Sequence, residues 1–248
     1  MRITYVGHAT VMIETPSARL LTDPVLRPRR LHLRRIAPSP ALEELRRPDA
    51  VLISHAHLDH LDVRSLRMLD GCPVVAPAGC GRTLRRAGVR DVTEVAPGQE
   101  LRVAGAEVTA IELAHDGRRH PLSRARDTIG YTIGSGERVF FAGDTDYFDG
   151  MRELPDALDV ALLPVWGWGP RVGAGHMDPS GAARAAAAIR PRLAIPIHWG
   201  TLASPRVSWI DDPERPAREF VRRARDAGVE ARLVRPGGSI DVGRAPAR

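Results

Sequence analysis

Ser54-His55-Ala56-His57-Leu58-Asp59-His60 places three imidazoles and a carboxylate within six residues, directly after the apolar run at 50–53. Neutral imidazole nitrogens and carboxylate oxygens are the donors that suit zinc and its borderline first-row neighbours. A single histidine is normally a satisfied core or surface residue, but four donors at this density read as metal ligands. Three more donors follow apolar runs: His115 after 107–113, Asp144 after 138–142 and His198 after 193–197. Ends of buried strands are rigid and the loops beyond them converge, so an α/β chain builds its sites there. Seven donors exceed the three or four protein ligands that one tetrahedral zinc takes. They suit two ions that share one carboxylate.

The elements that must position these donors are legible from period and punctuation. Residues 2–6, 10–14 and 18–22 read as a meander of short strands ended by Asp23-Pro24. Residues 25–40, with Pro28, Pro38, Pro40 and five arginines, read as loop by their breakers. A solvated loop is the plainer account of residues 27–35, and a lid that meets an anionic substrate group is the alternative. A helical turn at 42–47, the strand at 50–53, a helix at 63–69 capped by Asp62, a strand at 73–76 and a helix at 79–87 follow. Strands are expected at 92–95, 101–103 and 107–113, then a hairpin of 128–133 with 138–142, then a strand at 160–163. Asp178 with Pro179 starts a helix that reaches Ile189, a capping carboxylate followed by proline in the first turn. The strand at 193–197, a helix at 214–227 and a final strand at 231–234 close the chain. No linker divides the 248 residues, so the expected organisation is one α/β domain over 1–248, with two sheets covered by helices.

Composition adds little chemistry. All 36 basic residues are arginine and the formal net charge is +6, which fits nucleic acid or an anionic surface. The arginines are spread along the whole chain, however, so this is a compositional bias and no nucleic-acid partner is expected. Cys72 and Cys80 make neither a disulfide framework nor a paired metal clip, which suggests a reduced, cytoplasmic setting. No stretch reaches the ~18 apolar residues of a membrane span, and no amphipathic anchor is evident, so stable membrane association is not expected.

The pattern His-x-His-x-Asp-His after a strand, followed by His, Asp and His, resembles the metallo-β-lactamase superfamily along essentially the whole chain. The stretches at 4–10, 21–24, 143–145, 176–179 and 196–199 resemble one branch, which includes N-acyl-phosphatidylethanolamine phospholipase D and the ascorbate-6-phosphate lactonase. The resemblance implies a single-domain, four-layer αββα sandwich with a dinuclear site at one edge of the two sheets. It implies that His55, His57 and His115 hold the first ion, that Asp59, His60 and His198 hold the second, and that Asp144 bridges. His120 competes with His115, which is preferred because it lies directly after its strand. The resemblance also gives His176 a role facing the substrate or behind the ligands. His8 is placed near the site, where a structural role is the plainer one. Asp23 either hydrogen-bonds a ligand imidazole or simply forms a turn before Pro24. Trp166 and Trp168, on a glycine-rich loop after a strand, either wall a pocket or pack. His32 has no assigned role, and Ser54 has no free base beside it to act as a nucleophile.

Two divalent cations lower the pKa of a shared water from about 15.7 to near 7. The expected activity is therefore metal-dependent hydrolysis, by a metal-bridging hydroxide, of an ester, lactone or phosphodiester. Asp59 would orient the nucleophile besides binding metal, and His176 or a metal-bound water would protonate the leaving group. Zinc is the first choice of ion, with Mn, Fe or Ni as alternatives. The substrate is expected to be a soluble small molecule with room for an anionic group, and self-association is left open. The rivals are a nucleic-acid-processing phosphodiesterase of the same superfamily, a β-lactam or glutathione-thioester hydrolase, and a non-catalytic metal-binding module.

Overall fold

Strands that are apolar on both faces need cover on both, and that requirement organises this chain. A computed structural model describes residues 1–243 except 31, 46, 70, 119–126, 135, 155–157, 170 and 205–211. The first half runs β1 (Arg2–Gly7), β2 (Thr10–Glu14), β3 (Arg19–Thr22), β4 (Arg29–Arg30), β5 (Leu33–Arg35), α1 (Leu42–Leu45), β6 (Ala50–Leu52), α2 (Val63–Leu66), β7 (Val74–Pro77), α3 (Gly81–Arg86) and β8 (Val92–Val95). The second runs β9 (Glu100–Val103), β10 (Ala106–Glu112), β11 (Ile129–Ile133), β12 (Val139–Phe141), a 3-10 turn (Asp149–Glu153), β13 (Val160–Pro164), α4 (Pro179–Ile189), β14 (Leu193–Ile197), β15 (Leu202–Ala203), α5 (Arg215–Asp226) and β16 (Gly238–Asp241).

One sheet has the order β16-β1-β2-β3-β6-β7-β8 and the other β14-β13-β12-β11-β10-β9. β3, β6, β7 and β8 are parallel, as are β12, β13 and β14. Parallel neighbours need crossovers, which α1, α2 and α3 supply on the first sheet, and the 3-10 turn and α4 on the second. Ile3, Tyr5, Ile13 and Leu52 meet Tyr131, Phe141 and Leu162 in the core between the sheets. On the far side of the first sheet, Leu21, Val51 and Ile53 pack with Leu45, Leu66 and Leu84 of the three short helices. Helices α4 and α5 pack on each other and on β13 and β14 of the second sheet. The result is the expected αββα sandwich.

Most of the expected elements fall where the sequence places them, including α4. There Asp178 accepts a hydrogen bond from the Gly181 N–H at 2.7 Å. Three do not. Residues 27–35 are no open loop: β4 and β5 form a hairpin that joins β15 in a small third sheet. Three of its five arginines face inward partners, Arg27 bridging both Asp62 oxygens at 2.8 and 2.9 Å. Arg30 donates to the Leu58 carbonyl at 2.7 Å, and Arg35 to the Val6 carbonyl at 2.5 Å. Asp62 holds the expected N-cap position of α2 without a side-chain cap bond; its carboxylate is taken by Arg27 and Ser65, and α2 ends at Leu66. The expected last strand at 231–234 makes only an isolated bridge, Ala231 beside Ala194. The chain ends instead in β16, antiparallel to β1, a Gly-Ser-Ile-Asp segment that is a strand because β1 offers it an unpaired edge.

Candidate metal centre

The donors converge at one rim of the two sheets. His55, His57, Asp59 and His60 follow β6, His115 follows β10, Asp144 follows β12 and His198 follows β14. His8 in the β1–β2 turn and Asp23 after β3 reach the same rim. His8, Asp23 and His198 are non-glycine residues in the left-handed region, with φ of 58°, 33° and 63°. Such conformations cost about 1–3 kcal/mol each and gather where the surroundings over-determine them. Here the His198 N–H donates to the His8 carbonyl at 2.7 Å, and the His8 N–H to Thr201 Oγ1 at 2.8 Å.

Among the described residues two four-residue donor sets each span no more than 4.8 Å, His55, His57, His115 and Asp144, and His8, Asp59, His60 and His198; a smaller third joins Asp23, His55 and His60. Asp144 lies between the two larger sets. Its Oδ2 is 3.0 Å from His60 Nε2 and 3.8 Å from His55 Nε2, and its Oδ1 is 3.1 Å from His198 Nε2. The structure thus brings together all seven residues singled out as ligands, and adds His8, whose Nε2 is 3.0 Å from Asp59 Oδ2. His176 joins from outside, with Nε2 3.2 Å from Asp144 Oδ2. His120, the alternative to His115, lies outside the described residues.

What turns these imidazoles inward is a set of anchors on their outer nitrogens. His60 Nδ1–H donates to Asp23 Oδ2 at 2.7 Å, His115 Nδ1–H to the Gly175 carbonyl at 2.7 Å and His198 Nδ1–H to the Trp166 carbonyl at 2.8 Å. His55 Nδ1 meets Ser54 Oγ at 2.9 Å, and that hydroxyl donates to Asp23 Oδ2 at 2.5 Å. These tautomers follow from the hydrogen-bond network. Each leaves the lone pair of Nε2 facing the centre, the state a metal-ligating histidine needs. Asp23 therefore supports one imidazole of each set, directly at His60 and through Ser54 at His55.

The centre has the marks of a site made for cations. His57 Nδ1 and His115 Nε2 face each other at 3.2 Å, as do His60 Nε2 and His198 Nε2 at 3.1 Å. Lone pairs in that arrangement repel unless a proton or a cation lies between them. His55 Nε2 and Asp144 Oδ1 are buried without a hydrogen-bond partner, a costly condition that a metal ion relieves. Nitrogen and carboxylate oxygen are the right donor types. The residues present fit divalent metal.

Electrostatics divide the imidazoles. Burial holds His55 and His198 well below the ordinary histidine pKa and His57 below it, and it lowers His115 to about 4. Burial also opposes charge on His60, but the carboxylates of Asp144 and Asp23 outweigh it and hold its pKa well above the ordinary value. His176 is raised in the same way by Asp144. For Asp144 and Asp59 burial favours the neutral acid. The surrounding imidazoles overcome it and keep both carboxyls well below the usual range.

Beside the centre, Trp166, Trp168, Arg171, His176 and His198 line a cavity of about 210 Å³. The tryptophans therefore wall a pocket. His176 stands at its edge, 24% exposed. The hairpin arginines do not line it; Arg27, Arg30 and Arg35 are taken up by Asp62 and backbone carbonyls. Three contacts had no signal in the sequence: the Gly175 carbonyl behind His115, the indole N–H of Trp168 on Asp59 Oδ2 at 3.1 Å, and the edge of His32 against the Trp168 ring at 5.3 Å between centroids. Ser54 is also a relay between Asp23 and His55, a role the identity of a serine does not announce.

Comparison with known proteins agrees with this geometry. Residues 18–199 match the family described as the beta-lactamase superfamily domain. A protein named UPF0173 metal-dependent hydrolase from Opitutus terrae is 32% identical over 98% of this chain and 100% of its own length. Another so named, from Methanopyrus kandleri, is 33% identical over 97% of this chain and 100% of its own. Among solved structures, an isothiocyanate hydrolase from Delia radicum gut bacteria superimposes with a TM-score of 0.77 at 17% identity, covering 99% of this chain and all of that one. Among the described residues, no helix is long and apolar enough to cross a membrane.

Proposed function

The chain belongs to the beta-lactamase superfamily domain family and is a metal-dependent hydrolase; from that premise we propose that it holds two divalent ions, zinc before manganese, iron or nickel, and hydrolyses an ester, lactone or phosphodiester of a small molecule. The observation that carries the reading is the position of Asp144, within 3.0–3.8 Å of imidazoles from both donor sets. Two ions bound there supply a water acidified from about 15.7 to near 7 and a positive face for the charge that develops on the substrate.

The chain's own residues supply the rest. Asp59, ionised and held by two N–H donors, orients the attacking water besides ligating. His176 Nε2 stands 3.2 Å from Asp144 Oδ2 at the pocket edge, where it would pass a proton to the leaving group. Trp166 and Trp168 offer apolar faces, and Arg171 offers a cation to an anionic substituent. A cavity of about 210 Å³ is smaller than the roughly 300–1,000 Å³ of drug-sized sites, which favours a small substrate or the reactive end of one. A solved neighbour of this fold is named an isothiocyanate hydrolase, so isothiocyanates belong on the substrate panel beside the esters.

The test is turnover across a panel of small esters, lactones and phosphodiesters before and after chelation. The proposal predicts hydrolysis of at least one class, abolished by chelator and restored by zinc or manganese. A metal-loaded protein inert across the panel would favour a non-catalytic metal-binding module. Tight, salt-sensitive RNA binding would revive the nuclease reading.

A further inference from the structure

We propose that Trp168 is a positioning residue for the second ion: its indole N–H, carried on the loop after β13 and braced by the β4–β5 hairpin, sets the orientation of the Asp59 carboxylate. The inference rests on the two-ion reading above. Asp59 sits in a short turn between His57 and His60, and its side chain retains 15% exposure, so the turn alone leaves the carboxylate free to rotate toward solvent. Two donors prevent that, and both act on Oδ2: Trp168 Nε1–H at 3.1 Å and His8 Nε2 at 3.0 Å. Oδ2 is also the oxygen that lies 3.9 Å from His60 Nε2. An indole N–H can only donate, so the polarity of the Trp168 contact is unambiguous.

The hairpin grips Asp59 from two directions. Trp168 packs on Val25, Leu33 and Leu202, the small apolar cluster under the hairpin, and His32 abuts the indole ring edge-on. From the other side Arg30 donates to the carbonyl of Leu58, the residue before Asp59, and Arg27 holds Asp62. Backbone and side chain of one proposed ligand are thus tied to the same strap. The same indole walls the 210 Å³ cavity, so pocket wall and metal ligand move together. This accounts for why Arg27, Arg30 and Arg35 turn inward while Arg29 and Arg34 stay exposed.

The test is stepwise titration of the metal-free protein with Zn²⁺ against a competing chelator, repeated with Co²⁺ followed by absorption. Trp168→Phe keeps the ring against Val25, Leu33 and Leu202 and removes the N–H alone. The expected result is a first equivalent bound as in wild type and a second weakened about tenfold or more, the usual scale for losing a ligand's supporting hydrogen bond. The Co²⁺ spectrum of the second equivalent should change, while the melting temperature of the metal-free protein should not. Arg30→Met, which releases the strap from Leu58, should give the same selective loss and serves if Trp168→Phe does not fold. Wild-type affinity for both equivalents in both variants overturns the proposal, as does an equal weakening of both ions. Wild-type protein that takes up a single equivalent overturns the two-ion reading instead.

Discussion

Replacing Asp23 by asparagine is a near-isosteric change with a specific predicted consequence. Asp23 Oδ1 accepts the Ser54 N–H at 2.7 Å, while Oδ2 accepts Ser54 Oγ–H at 2.5 Å and His60 Nδ1–H at 2.7 Å. Asparagine has one acceptor oxygen where the carboxylate has two. With its oxygen on the Ser54 N–H, its amino group faces His60 Nδ1 and drives the imidazole to the tautomer protonated on Nε2, which cannot ligate. Turned over, the amide sets an N–H against the buried Ser54 N–H. Either way one buried hydrogen bond is lost, about 1–3 kcal/mol of stability in the metal-free protein. Loss of a support behind a ligating histidine costs 10- to 100-fold in metal affinity, or about 1.4–2.7 kcal/mol. The assay is chelator-competition titration beside thermal unfolding of the metal-free form. The second ion should weaken by that factor, and the first by less, because His55 is reached only through Ser54. Asp23→Asn protein that binds both ions with wild-type affinity would refute the reasoning, since the tautomer would then not depend on Asp23.

Two further outcomes follow from the same geometry. Asp62 is 3% exposed and accepts both hydrogen bonds of the Arg27 fork; burial pushes its pKa up, but Arg27 and Ser65 outweigh that and hold it below the ordinary value. A depressed folded pKa means the contribution, about 2–3 kcal/mol for charge-assisted bonds, is complete above the unfolded value near 4 and disappears as pH falls through the folded one. The stability gap between wild type and Asp62→Asn in urea unfolding should therefore be constant from pH 7 to 5 and shrink below about 4; a gap that stays flat into acid would contradict it. Gly143, beside Asp144, has φ of 57° and would set a Cβ 2.7 Å from Ser54 Cβ. Gly143→Ala should cost about 2–3 kcal/mol, roughly 4–12 °C in melting temperature, together with bound metal, and an unchanged melting curve would show that the backbone there is not constrained.

The chemistry of this chain was legible because it is written in side chains at short spacing. The run from His55 to His60 announces four donors, and His115, Asp144 and His198 stand directly after apolar strands, where converging loops were expected. Asp178 followed by Pro179 announced α4 for a local reason, a cap and a first-turn proline. What escaped notice is non-local. Arg27, Arg30 and Arg35 read as a solvated charge run because their partners, Asp62, Leu58 and Val6, lie 28–35 positions away, and only the fold brings them together. Gly175 holds His115 through a backbone carbonyl, which no residue identity encodes. β16 is a strand through pairing with β1, since Gly-Ser-Ile-Asp carries little β propensity of its own. His8 and Trp168 read as neighbours of the site, but their shared hold on Asp59 depends on the β1–β2 turn and the loop after β13 meeting across the rim.

The central claim, that seven side chains hold two ions about a shared Asp144, is tested most directly by anomalous scattering from crystals of the metal-loaded protein, measured above and below the metal edge. The account predicts two peaks per chain, one among His55, His57, His115 and Asp144, the other among Asp59, His60, His198 and Asp144. A single peak, or a second one away from Asp59, His60 and His198, would contradict it.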